Sequence, residues 1–318
     1  MKRQRRILSK QNLCPIPRIS FRQIRKIGNS PPEPGANRGG GMTGAGSGTN
    51  VRGYDSVQAR LRPAALGISR RPRMQNAAPI AILVMLAILV FCVLSARLFR
   101  AKAMRMAKRL RQSPSGQDRA AALPAMVLDY ARRAGAEVGA GLCAVEFRQS
   151  AEMRLKRGGL MSQVTARQTV AVGSSGFMWW ARQGWGPFTR FRVIDAFVGG
   201  EGLLEVRLLG AIPAVKSRGV ETSLAEAYRY LAELPLAPDA ILGNPDLHWR
   251  MTEDGGAEVR LETRVGTARV LFRFDAQGDI VAMEARERPA RDGEGRPVRY
   301  DWRGRYGRSE ERRVGKEC

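Results

Sequence analysis

The chain has 318 residues, 44% of them hydrophobic, and a formal net charge of +25, which excludes wholesale disorder and collagen and allows one or two domains. Four cysteines without a C-x-x-C pair exclude a disulfide scaffold and a zinc ribbon, and a single histidine, His248, excludes a multi-histidine metal site. No Walker loop or dinucleotide-binding glycine motif is present, so we expect neither a metal nor a cofactor.

Residues 1–73 hold 16 Lys and Arg residues and two acids, and they show no sustained hydrophobic period. A proline cluster at 31–34 and a glycine-rich run at 39–49 favour a disordered basic tail, because such a chain cannot bury enough apolar surface to fold. The tail could bind anionic membrane or nucleic acid. Alternatively, translation starts at Met74 and the tail is a mis-assigned upstream region.

Residues 74–96 form a stretch of 23 residues without a charge. As a helix it would span roughly 34 Å, enough for a hydrocarbon core of about 30 Å, and it has no polar stripe of the kind that a buried core helix shows. No small-x-small cleavage site precedes Arg97. The stretch therefore predicts one transmembrane helix, a single-pass membrane protein and the lipid bilayer as a partner.

Residues 97–111 carry seven basic side chains and no acid, while residues 112–318 carry a net charge of only +4. We interpret residues 97–117 as a basic juxtamembrane linker in which residues 97–111 contact anionic lipid headgroups. Positive charge flanks the apolar stretch on both sides, so the side of the membrane on which the following domain lies stays undetermined. The low charge of that domain argues against nucleic acid as a partner.

Residues 118–307 read as one α+β domain. A helix follows Pro124 and ends at Gly135, and period-two alternation from Cys143 onwards predicts the first of several strands. A capping box formed by Ser223 and Glu226 introduces a helical segment over 222–242, after which strands resume. Short connections favour antiparallel pairing throughout.

The predicted fold is therefore a curled antiparallel β-sheet of about eight or more strands, with the helical segment inserted midway and one transmembrane helix before it. Helices laid over the concave side of such a sheet would leave an apolar hollow suited to a ligand. The last eleven residues, 308–318, resemble a translated sequencing adapter, so we treat them as a non-native tail and expect the natural chain to continue past Gly307.

Seven phrases in the domain form a recognisable set: LP at 123–124, RQSAEMR at 148–154, DAFV at 195–198, GLLEVRLLG at 202–210, YRYLAELPLAPDAIL at 228–242, FRFDAQG at 272–278 and WRG at 302–304. Together they resemble a bacterial family of membrane-anchored domains of unknown function, over about residues 120–307. Leu236 departs from the pattern, which has tryptophan there. The resemblance implies no activity, and it favours Met74 as the start.

Four ionisable residues are candidates for catalysis: Glu226, Glu233, Asp239 and His248. Glu226 and Glu233 are two helical turns apart and share a face, with Arg229 between them. A carboxylate pair across a cleft would suit a membrane-tethered hydrolase, whereas an ion-pair ladder explains the same spacing without chemistry. His248 could act as a general base or be a surface residue at a strand edge.

Aromatic residues are dense in the first half of the domain and supply the candidates for ligand binding, which are Trp179, Trp180, Trp185, Phe188 and Tyr230. They could line an apolar cleft, rest at the membrane interface or fill the core of the sheet. The anchor, the aromatic density and the sheet length favour a module that binds or shelters an apolar or lipid-like ligand over an enzyme. The tethered hydrolase and binding through the basic tail are the alternatives.

Overall fold

The computed structural model describes the backbone of residues 18–28 and residues 77–137, 141–154, 161–184, 189–292 and 295–307. These ranges combine helices with antiparallel strands, which confirms the α+β class. Residues 308–318, Trp185 and Phe188 lie outside them, as does most of the predicted tail. Two compact units divide the chain, one formed by residues 30–88 and the other by residues 1–29 and 89–318.

The strands fall into two sheets, in each of which neighbours in sequence are neighbours in space. The first sheet contains β1 (Arg18–Gly28), β2 (Leu142–Arg154), β3 (Met161–Ala171), β4 (Phe177–Gln183), β5 (Phe191–Val198), β6 (Glu201–Leu208) and β7 (Ile212–Arg218). The second contains β8 (Leu247–Met251), β9 (Ala257–Thr263), β10 (Gly266–Phe274), β11 (Ile280–Arg291) and β12 (Pro297–Arg305). Strand β1 lies in the region that the sequence predicts to be disordered, and it pairs with β2. Without this pairing, the backbone N–H and C=O groups along that edge of β2 would have no partner in the sheet.

The sequence predicts one long sheet, and the structure differs because the helical insertion separates β7 from β8. This insertion consists of α3 (Val220–Ala232), a 3₁₀ turn (Leu234–Leu236) and α4 (Pro238–Gly243). Helix α3 contacts β5, β6 and β7 of the first sheet and β9, β10 and β11 of the second. The helix therefore lies against both sheets and buries most of its surface between them.

The expected capping box is wrong. Helix α3 already begins at Val220, after Gly219. The Ser223 hydroxyl accepts a hydrogen bond from the backbone N–H of Gly202 in β6 at 2.9 Å, so it joins the helix to the sheet and does not cap the N-terminus of the helix. The helix expected after Pro124 is present as α2 (Ala125–Arg133), and Gly135 follows it with a φ of 87°.

Helix α1 (Ala77–Arg111) is the one helix in the described part of the chain that is long and apolar enough to cross a membrane, and none of its most apolar 18-residue window is buried. The last turns of α1, in contrast, are partly buried. Phe99, Ala103, Ala107 and Leu110 are buried, and they pack on the outer face of the first sheet. The basic segment expected to be a linker is thus helical as far as Arg111.

The first sheet separates two hydrophobic cores. Its outer face, with Met178, Ile194 and Leu203, packs against the end of α1. Its inner face packs against α2, α3, α4 and the second sheet. A sheet that is covered on both faces needs apolar residues at both the odd and the even positions of its strands. A polar side chain on the inner face therefore requires a hydrogen-bond or ion-pair partner inside the protein.

Candidate functional site

Polar side chains interrupt the inner face of the first sheet along one row. Gln168 on β3 lies opposite Trp179 on β4, which in turn lies opposite Asp195 on β5. Gln149 on β2 is also buried. Because buried amides and carboxylates lose their contacts with water, each of these groups must find hydrogen-bond partners inside the protein.

Helix α3 and the residue after it supply the partners. At 3.6 residues per turn, Glu226, Arg229 and Glu233 point to the same side of the helix. The Arg229 guanidinium forms a short ion pair with Asp195 and donates from Nε to Glu233 Oε1 at 2.8 Å. Its planar group also lies over the rings of Phe177 and Trp179, at 5.0 and 5.1 Å.

A relay of amide hydrogen bonds leads from this ion-pair group across the sheet. Gln168 Nε2 donates to Glu233 Oε2 at 2.6 Å, and Gln149 Nε2 donates to Gln168 Oε1 at 2.8 Å. The indole Nε1 of Trp179 donates to Gln149 Oε1 at 2.6 Å. The relay therefore fixes the orientation of both amides and of the Trp179 ring.

Glu226 differs from Asp195 and Glu233 because it is buried and forms no ion pair with any described residue. Burial raises its pKa well above the ordinary value, and the neighbouring Asp195 carboxylate raises it further, against the opposing effect of Arg229. Glu226 Oε2 and Asp195 Oδ1 both lack a hydrogen-bond partner. A Glu226 carboxyl that keeps its proton is the group that can donate a hydrogen bond to the Asp195 carboxylate. We call Asp195, Glu226, Arg229 and Glu233 the buried charge centre.

A crevice between the first sheet and α3 adjoins the buried charge centre. Its lining combines apolar and polar groups, from Gln168, Val170, Phe177, Tyr230, Glu233 and Leu234. The empty space amounts to about 170 Å³ when the open mouth is included, yet none of it is wide enough for a water molecule. A ligand would enter only if α3 and the 3₁₀ turn moved away from β3 and β4.

Tyr230 also lines the crevice, and a hydrogen-bond network holds its side chain. Its hydroxyl accepts a hydrogen bond from Asn244 Nδ2 at 2.8 Å, and Asn244 also donates to Ser175 Oγ at 2.9 Å. Burial raises the pKa of Tyr230 above its ordinary value, so the phenol stays protonated at neutral pH. This network joins α3 to the turn between β3 and β4.

Two of the four acid–base candidates lie in the buried charge centre and two do not. Glu226 and Glu233 come together with Arg229, although the ladder expected along the helix is only half present, because Glu226 faces Asp195. Asp239 is buried and accepts a hydrogen bond from the backbone N–H of Glu137 at 3.1 Å. His248 is exposed on β8, opposite Arg260.

The candidate aromatic residues are distributed over both faces of the sheet. Trp179 belongs to the inner core, whereas Trp180 packs on Phe99 of α1 with ring centroids 5.3 Å apart. Tyr230 lines the crevice. Trp185 and Phe188 lie outside the described residues, so their role as ligand contacts stays a prediction.

Sequence reasoning missed Asp195, Gln149 and Gln168. Each occupies a position on the inner face of its strand, where the period-two pattern calls for an apolar residue. An amide or carboxylate at an apolar position was the available signal, because such a residue must be paired when it is buried. Among the residues that the structure describes, no group of three or more His, Cys, Asp or Glu residues is arranged to hold a metal ion.

Comparison with known proteins gives one match. A family model described as "Family of unknown function (DUF6544)" matches residues 113–316. No curated protein sequence and no solved structure matches the chain. The matched region includes every residue of the buried charge centre and of the crevice.

Proposed function

The chain belongs to the DUF6544 family, and we propose that this member is a single-pass membrane protein whose body binds an apolar or lipid-like ligand between the first sheet and α3. The observation that carries the proposal is the crevice lined by Val170, Phe177 and Leu234, with Gln168 and Glu233 at its polar end. Apolar walls with a few fixed polar groups are the usual make-up of a ligand site. The relay of amides holds those polar groups in place.

Membrane anchoring is the first part of the proposal. Helix α1 supports it by its length, its composition and the exposure of its apolar side chains. The full chain should sediment with membranes without detergent and resist extraction by alkaline carbonate. Recovery in the supernatant would contradict anchoring. A reporter fused after Gly307 would determine the side of the membrane on which the body lies.

Ligand binding is the second part, and a photoreactive fatty acid tests it in the full chain reconstituted into lipid nanodiscs. Cross-links mapped by mass spectrometry should fall on peptides that line the crevice, around residues 168–177 and 230–234. Val170→Trp adds bulk to the wall of the crevice, which hinders its opening for a ligand, and should abolish these cross-links, whereas Val298→Trp on the exposed face of β12 should not. Cross-links confined to α1 would contradict the proposal.

A tethered hydrolase is the second candidate, because the buried charge centre contains a carboxyl that keeps its proton beside one that pairs with a cation. Such unequal acids can act as proton donor and acceptor. If this candidate is correct, the full chain cleaves p-nitrophenyl ester or glycoside probes, and Glu226→Gln or Asp195→Asn lowers the rate at least 100-fold. Glu262→Gln, on an exposed strand position, is the control. No cleavage of either probe class by the wild type would count against it.

Anionic lipid headgroups remain a proposed partner of residues 97–111, but fewer side chains are available than the sequence suggests. Lys102 pairs with Glu205, and Arg111 pairs with Glu146, so both cations bind the first sheet. The side chains left exposed to headgroups are those of Arg97, Arg100, Arg105, Lys108 and Arg109.

A further inference from the structure

The turn between β6 and β7 is fixed beside α1. The Ser95 hydroxyl donates a hydrogen bond to the carbonyl oxygen of Ala211 in this turn at 2.8 Å. Arg207, at the end of β6, donates to Ser95 Oγ at 3.0 Å, and its guanidinium lies 4.4 Å from the ring centroid of Phe99. These contacts hold the turn at the level of Ser95 on the helix.

The turn presents apolar side chains to its surroundings. Leu209 is 63% exposed, and Leu208 and Ile212 on either side are exposed as well. The backbone of Leu209 has a φ of 52°, in the left-handed region that glycine and asparagine occupy most easily. Leu209 belongs to neither hydrophobic core, so core packing does not explain a leucine in this conformation.

The adjacent part of α1 is where a membrane-spanning helix would leave the hydrocarbon. Its uncharged stretch ends at Ala96, and Arg97 is the first charged residue. Leu94 and Leu98 on this part of the helix are exposed. Ser95 therefore lies at the boundary between the apolar and the charged parts of α1, and the β6–β7 turn lies beside that boundary.

Arginines line the outer face of the sheet below the turn. Arg182, Arg192 and Arg207 are direct neighbours on β4, β5 and β6. Arg207 pairs with Glu205, but no carboxylate in the described part of the chain forms an ion pair with Arg182 or Arg192. Burial lowers the pKa of Arg192, and the nearby charges of Arg100 and Arg182 lower it further; its Nε has no hydrogen-bond partner. Arg182 donates from Nε to Thr165 Oγ1 at 3.1 Å and the Arg192 guanidinium lies 5.8 Å from the ring centroid of Trp180, so neither contact neutralises the charge, and two adjacent arginines of this kind favour an anionic partner.

We propose that the β6–β7 turn is a second membrane contact, which inserts Leu208, Leu209 and Ile212 into the headgroup layer while Arg182 and Arg192 bind the phosphates of anionic lipids. The inference rests on the proposed anchoring by α1, because the turn reaches a bilayer only if α1 crosses it. Apolar tips flanked by arginines suit this layer, since the long side chains extend their charges towards the phosphates.

A fluorescent probe at the turn tests the insertion. Leu209→Cys is labelled with an NBD fluorophore in a full chain whose Cys14, Cys92 and Cys318 are serine and whose Cys143 is buried, and the chain is reconstituted in liposomes with 30% phosphatidylglycerol. We expect a blue-shifted emission that headgroup-proximal nitroxide lipids quench at least twofold. Ala276→Cys, in the exposed turn between β10 and β11, is the control and should stay unquenched.

The arginines are tested with the same probe. Arg182→Gln combined with Arg192→Gln should remove the increase in quenching that phosphatidylglycerol produces over neutral lipid. Arg264→Gln combined with Arg286→Gln removes the same charge from exposed positions of the second sheet and should leave that increase intact. Equal effects of the two double variants would overturn the role of Arg182 and Arg192.

The outcomes separate this inference from the anchoring proposal. A protein that resists carbonate extraction but carries an unquenched, water-exposed probe at position 209 overturns the membrane contact alone. A probe that is blue-shifted but not quenched by lipid nitroxides indicates burial against protein, such as a second copy of this chain, and also overturns it. Extraction by carbonate refutes the anchoring itself.

Discussion

Replacing Arg229 with methionine should destabilise the protein far more than removing an exposed charge. Methionine keeps the apolar stem of the side chain but removes the guanidinium, with its charge and its hydrogen-bond donors. Asp195 and Glu233 then lose the group that pairs with both of them. The stacking of the guanidinium on Phe177 and Trp179 is lost as well.

The contacts of Arg229 set the size of the effect. Its side chain is 17% exposed, and those of Asp195 and Glu233 are 13% and 19% exposed, so solvent can compensate little of the loss. Breaking a buried ion pair by removing one partner costs about 3–5 kcal/mol, and the residual exposure places this site near the lower end. For a domain of this size, a loss of about 3 kcal/mol lowers Tm by roughly 6–12 °C.

Unfolding of the full chain in detergent, followed by tryptophan fluorescence, measures the effect. Arg250→Met is the matched control, because Arg250 is 69% exposed and pairs with Glu258 in solvent, where water screens the attraction. Adding Asp195→Asn to Arg229→Met should recover part of the lost stability, since the asparagine removes one of the two carboxylate charges that the loss of Arg229 leaves without a partner.

Two results would refute this reasoning. The first is an Arg229→Met variant no less stable than Arg250→Met. The second is a double variant with Asp195→Asn whose loss equals the sum of the two single losses. Either would mean that Arg229 acts through packing alone and that Asp195 needs no counter-charge.

Three further predictions concern other parts of the structure. Above about pH 4.5 Glu226 ionises in the unfolded chain but keeps its proton in the folded protein, so the free energy of unfolding falls as the pH rises. Glu226→Gln should flatten this fall when the free energy of unfolding is measured between pH 5 and 8. An unchanged slope would contradict the raised pKa of Glu226. Phe99→Ala should cost about 3–5 kcal/mol of unfolding free energy by opening the core beneath α1, whereas Leu98→Ala, at an exposed position of the same helix, should cost little in detergent; equal losses would argue against docking of α1. Gly202→Ala places a Cβ 2.6 Å from the backbone of Thr222 and Ser223 and should destabilise by about 1–3 kcal/mol, while Gly307→Ala, with open space around it, should have no effect in the same thermal melt.

Local patterns predicted much of the secondary structure. Strand β2 follows from the alternation over residues 143–155, in which Gln149 is the one polar residue at an apolar position, and α3 follows from the spacing of apolar residues before Pro235. Strand β7 was missed because it is an exposed edge strand that contains Pro213 and Lys216 and shows no alternation. The division into two sheets was missed because it depends on where α3 packs, which is a contact between distant segments.

The buried charge centre shows the same limit. Helical spacing grouped Glu226, Arg229 and Glu233, since residues on one helix face are related by local geometry. It could not indicate that Asp195, on a strand 31 residues before Glu226, would be the acid that shares a proton with it. Long-range register across β3, β4 and β5 decides that contact, and no local period encodes it.

The docking of α1 has a practical consequence for any attempt to cut a soluble fragment from this protein. The family match begins at residue 113, and a fragment that starts there would lack Phe99, Ala103, Ala107 and Leu110. Trp180 and its apolar neighbours on the outer face of the sheet would then be exposed to solvent, and the fragment would be prone to aggregate. A fragment that keeps this packing has to begin before Phe99, inside the helix, so the apolar part of α1 can be removed only as far as that turn.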